Sequence, residues 1–189
     1  LQTPDLAFQL PPPQRDIHDG NAAPDYLYAE MPIPRNFSGS DDDRLSDMLH
    51  MPLAKLSTKD ADALLHRYVR DNDSFQFLHD GAHLDHVNWQ LEVRRQGMNA
   101  LLPWLAKHRD LTKLLALSIR IDIKNHRWAD ARDKLQTGFA FARHVSVGDT
   151  LFQNLVGRAR ARMMTDCGED WVAEPGSPNL FWPVTDLPH

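Results

Sequence analysis

The placing of proline constrains this chain more than any other feature. Eight of its 13 prolines fall within residues 1–52 and four within 175–188, which leaves Pro103 alone between residues 53 and 174. Proline carries no amide donor and clashes with the preceding turn of a helix, so the middle of the chain is free to be helical and its ends are not. On this criterion the chain divides into a proline-rich extended segment with short helices packing on the domain, residues 1–52, and a helical domain, residues 53–189. The run Pro11-Pro12-Pro13 favours an extended, polyproline-like path over the surface.

A chain of 189 residues can bury a core without disulfides or a structural metal. Cys167 is the single cysteine, which excludes an intramolecular disulfide and a cysteine-built zinc cage. The formal charge is -5, with 21 basic and 26 acidic side chains interspersed, so there is no broad positive field for a nucleic acid or an anionic membrane. Apolar stretches fall well short of the ~20 residues that span a bilayer. Beginning at Leu1, the chain reads as a processed mature form, a fragment or a trimmed chain.

Helical periodicity recurs along the middle. GNAAPDYLYAEM offers Asn21 as N-cap, Pro24 in the first turn, and Tyr26, Leu27 and Met31 as a buried side. In SGSDDDRLSDMLHM the acids precede Leu45, Met48 and Leu49, where a helix N-terminus favours negative charge; a calcium loop lacks its alternating ligands and glycine. Ser57 or Thr58 caps a helix that buries Ala61, Leu64, Leu65 and Tyr68. LLALSIRIDIK alternates apolar and polar residues like a strand, but its helical neighbours favour a helix sandwiched on both sides. Ala131, Leu135, Gly138, Ala142 and Val145 form one stripe, with Gly138 admitting another backbone; Phe152, Val156, Ala159 and Met163 form the next. The expected class is all-α: antiparallel helix pairs in an irregular TPR-like α-α superhelix behind the proline-rich segment.

NHRWADARDKL resembles the turn and second helix of a tetratricopeptide-type repeat, with Trp128 and, three residues later, the small Ala131; Asn125 stands where such repeats place a turn glycine. The blocks LAFQLPPP, GNAAPDYLYAEM, NALLPWLAKHRDLTKLLAL, LQTGFAFARHVSVGDTLFQNLVG and EPGSPNLFWPVTDLP resemble those of a family of uncharacterised helical proteins abundant in planctomycete bacteria. The likeness implies an export signal ahead of the mature chain and hence a place in the periplasm or at the cell surface. It brings no catalytic or cofactor residues.

HDGAHLDH carries the densest set of metal-ligating side chains. On a single helix over 75–87, His79, His83 and His86 would lie within about 60° of one another around the axis, a face on which zinc or copper could sit. Gly81 opposes that helix by about 0.8–1.0 kcal/mol relative to alanine. Arg158 and Arg162 share a face from which Arg160 points away, and a solvated surface accounts for them better than an anion site. Acids surround Cys167, which disfavours a reactive thiolate and makes it a packing residue. No GxSxG elbow, phosphate loop or HExxH motif is present. Trp171, Phe181 and Trp182 are candidate partner anchors near the C-terminal loop. The resulting expectation is a non-enzymatic helical scaffold that binds a protein partner or itself, part of a larger exported protein or assembly, with no cofactor. The alternative is a zinc- or copper-binding protein using His79, His83 and His86.

Overall fold

The structure, a computed structural model, describes residues 16–34, 39–89, 102–147 and 151–178, and within these not the side chains of 102–105 and 151–152. Their elements are β1 (His18–Asn21), α1 (Ala23–Glu30), α2 (Gly39–His50), a 3-10 turn (Leu53–Lys55), α3 (Thr58–Tyr68), a second 3-10 turn (Arg70–Asn72), α4 (Ser74–Ala82), β2 (Leu84–His86), α5 (Leu102–Lys124), α6 (Trp128–Ser146) and α7 (Leu151–Ala173). The class is all-α, with one short parallel ladder joining β1 to β2. No helix among the described residues is long and apolar enough to cross a membrane.

Helix α5 runs through the centre. Leu114, Leu115, Ala116, Leu117, Ile119, Ile121 and Ile123 are each at most 1% exposed, so the alternation that mimicked a strand is a helix covered on every side. Helices α1, α2 and α3 pack on it together with α6 and α7. One core cluster runs from Ala22 to Trp171 and crosses residue 52 without interruption. Arg120 joins α5 to the end of α2, donating to the carbonyls of Met48 and Met51, while Lys124 donates to those of Leu53, Ala54 and Leu56. These side chains satisfy acceptors that a helix end leaves open.

The α5–α6 link has His126 in the left-handed region, φ 56°, one position after Asn125. Amides of His126 and Arg127 donate to the carbonyls of Ile123 and Asp122 at 2.9 and 2.8 Å, closing the helix end without glycine. So short a link between packed helices turns the chain back on itself. The predicted stripe on α6 is buried at Ala131, Leu135, Gly138, Ala142 and Val145.

Three expectations are corrected. On α7 the buried row is Gln153, Gly157, Arg160, Met164, Cys167 and Trp171, one position beyond the predicted row, of which Val156 and Met163 pack half-buried on the core, Ala159 is exposed and the Phe152 side chain lies outside those described. Gly138 faces the Met164 side chain, whereas Gly157 is the glycine that admits a backbone: a Cβ there would lie 2.8 Å from the Ala142 carbonyl oxygen. On α1 the inward side chains are Tyr26, Ala29 and Glu30, and Leu27 and Met31 face outward.

Candidate functional site

HDGAHLDH is not one helix. Helix α4 stops at Ala82, because the strand that follows is claimed by β1: the His18 amide donates to the His83 carbonyl at 2.7 Å, and the Ala22 amide to that of His86 at 2.9 Å. A backbone committed to that ladder cannot continue the helix. His79 and His83 still lie together, ring centroids 4.2 Å apart, but His86 sits on β2 against Asp85, Nδ1 to Oδ1 2.7 Å. The single face assumed for the three histidines is therefore corrected. His79 turns toward Asp133 of α6, Nε2 to Oδ2 3.6 Å, which raises the imidazole pKa and lowers that of the carboxyl. Among the described residues, ligand-type atoms converge instead at Asp19, Asp85 and His86, within 4.8 Å of one another, and all three side chains are exposed.

Gly81 serves a different purpose from any metal. A Cβ there would lie 2.7 Å from Cε1 of Tyr26, so glycine at this position lets α1 seat its ring on α4. Tyr26 is fully buried, packs on Phe141 and Trp89 at 4.6 and 5.7 Å, and shares a 2.7 Å hydrogen bond with His144 Nδ1. Burial keeps the phenol protonated and pushes the His144 imidazole down to about 4, the nearby Arg143 adding to the effect. Trp89 donates to the His144 carbonyl at 3.2 Å.

One turn along α1, Glu30 touches His108 of α5, both buried. Arg160 of α7 is 3% exposed with its guanidinium over the Phe141 ring at 5.5 Å. Burial pushes Glu30 up to about 8 against the pull of Lys107 and Arg160, and brings Arg160 down to about 9. Arg158 and Arg162 lie on the exposed face and Arg160 turns inward, as the spacing suggested; its buried environment had no signal in the sequence.

The outer face of α1 is the reverse of this polar seat. Leu27, Tyr28 and Met31 are 47, 53 and 69% exposed. Tyr28 meets Phe77 of α4, ring centroids 5.5 Å apart. One turn away stands Asp25, whose carboxyl is raised first by burial and then by the neighbouring Asp80 charge. No composition rule pointed here, since apolar residues in a helix are by default counted as core.

A cleft of about 180 Å³ between α2, α5 and α7 is lined by Lys113, Arg120, Arg162 and the buried Cys167. Its cations are engaged by Asp42, Asp170 and Asp166 at 2.6, 2.7 and 2.8 Å. Burial pushes the Cys167 thiol up to about 12, which removes it as a nucleophile. Trp171 is 0% exposed and packs against Trp128 at 5.1 Å, so it fills the core; Phe181 and Trp182 lie outside the described residues. No family model, no curated protein and no solved structure matches the chain.

Proposed function

We propose that this protein is a non-enzymatic interaction module, an irregular TPR-like stack of helix pairs that presents the outer face of α1 to another protein chain. The observation that carries the reading is the exposure of Leu27 and Tyr28 on the eight-residue α1 together with Met31 at its C-cap. Single exposed apolar residues are ordinary, but three on an otherwise well-seated helix and its cap lose a water-exposed apolar surface only when covered. The inner face of α1 is held by Tyr26 and Glu30, so the outer face is offered by a fixed element. A photo-activated benzoylphenylalanine at position 28 tests this in the native cell. Cross-links to another chain from position 28, and none from position 155 on α7, are expected; equal cross-linking from both positions would refute a specific face.

A second reading is metal binding, moved from the three histidines to Asp19, Asp85 and His86 by the convergence of their ligand atoms within 4.8 Å. Two carboxylates and an imidazole suit a borderline divalent ion such as zinc. Elemental analysis of tag-free protein equilibrated with zinc tests it: stoichiometric metal lost in Asp85→Asn supports the reading, and loading that Asp85→Asn leaves unchanged removes it.

A further inference from the structure

Two antiparallel rows of side chains meet where α1 lies on α4. Tyr28 and Phe77 form the aromatic end of the strip, with centroids 5.5 Å apart. Three residues back along α1 and three forward along α4 stand Asp25 and Asp80, close enough that the Asp80 charge raises the Asp25 carboxyl. Helical residues three apart share a face, so the carboxylate pair lies about one turn, ~5 Å, from the aromatic pair. Asp80 accepts from Gln76 at 2.8 Å and reaches His79 at 3.5 Å. Among the described residues no cation pairs with Asp25. Leu27 and Met31 extend the apolar end on the solvent side.

We propose that the occupant of this strip is a basic amphipathic helix of another protein, whose apolar side chains cover Leu27, Tyr28 and Met31 while a lysine or arginine one turn away bridges Asp25 and Asp80. The inference rests on the α1 docking reading and adds the chemistry of the partner. A cation placed beside Asp25, whose charged form partial burial and the neighbouring Asp80 charge both disfavour, relieves that penalty, and the relief is available only to a positive partner. An acidic helix meets like charge there and is turned away. An amphipathic helix supplies the required spacing by itself, because its positions i and i+3 or i+4 lie one turn apart on one face. An anionic lipid surface would meet the same two carboxylates with the wrong sign.

The test uses fluorescence anisotropy with a labelled amphipathic helical peptide of leucine and lysine and its leucine and glutamate counterpart, titrated with the full chain. The lysine peptide is expected to bind, about fivefold or more weakly to Asp25→Asn/Asp80→Asn, and equally well to Asp43→Asn/Asp47→Asn, which removes the same charge from the exposed side of α2. The glutamate peptide is expected not to bind. Equal binding of both peptides, both lost in Tyr28→Ser/Met31→Ser, would overturn the partner class and leave the docking face standing. Lysine-peptide binding that survives Tyr28→Ser/Met31→Ser would overturn the docking face itself. Failure of both peptides while position 28 still cross-links in the cell would overturn the basic helix alone. A concentration-dependent dimer in sedimentation velocity that Tyr28→Ser/Met31→Ser abolishes would make a second copy the occupant, and would also overturn the partner class.

Discussion

Tyr26 and His144, 118 residues apart in sequence, share a hydrogen bond of 2.7 Å inside the core and so fasten α1 to α6. Tyr26→Phe keeps the ring against Gly81, Phe141 and Trp89 but leaves a buried imidazole nitrogen without that partner. An unsatisfied buried polar group costs on the order of 1–3 kcal/mol. Urea unfolding is expected to show a lower midpoint at an unchanged slope; an unchanged midpoint would mean that the bond contributes nothing net.

His144 also sets a pH dependence. Its folded pKa, about 4, lies below the ordinary 6.5, so the folded protein prefers the neutral ring. The unfolded chain takes up a proton first as pH falls, and the contribution, fully present above about 6.5, is lost as pH drops toward 4. Glu30 runs the other way: its folded pKa is raised to about 8, so its contribution is present below the unfolded value and is lost as pH rises through about 8. His144→Gln should flatten the stability profile between pH 4 and 6.5, and Glu30→Gln should flatten it between 4.5 and 8. Parallel profiles for variants and wild type would contradict both assignments.

Gly81→Ala is expected to destabilise although alanine is the better helix former by about 0.8–1.0 kcal/mol. The added methyl would stand 2.7 Å from a ring that is fully buried and hydrogen-bonded, and overpacking of this kind costs roughly 1–3 kcal/mol. A higher melting temperature for Gly81→Ala would show that the α1–α4 contact is looser than described.

Above about pH 8, where the buried Glu30 is ionised, Arg160→Met strands that carboxylate, and breaking a buried ion pair by one member costs on the order of 3–5 kcal/mol. Arg160→Met combined with Glu30→Gln removes the charge that the single change strands. The double variant is therefore expected to be more stable than the sum of the two single changes predicts, by about 1 kcal/mol or more in a double-mutant cycle. Simple additivity would show that Arg160 and Glu30 do not interact.

Much of the fold was legible because it depended on local chemistry: the proline-poor middle, the cap at Ser57, whose hydroxyl accepts from the Asp60 amide at 3.3 Å, and the α6 stripe. What failed depended on partners far away. The α7 row was placed one position early because its inward side includes Gln153 and Arg160, which periodicity counts as solvent-facing. Packing of α7 against α5 and α6 buries them. HDGAHLDH gave no sign of its strand, since the pairing partner lies at His18–Asn21. Leu27 and Met31 were assigned inward by hydrophobicity, yet apolar side chains also cover much of any protein surface. The candidate site was hidden for that reason: its distinguishing property is exposure, and exposure belongs to the fold.

Hydrogen–deuterium exchange of the full chain with and without the bound leucine–lysine peptide tests the docking face most directly. Slower exchange confined to α1 and to the α4 turn that carries Phe77 and Asp80 is the predicted result. Protection confined to α7 or to the cleft beside Cys167, with α1 unchanged, would contradict it.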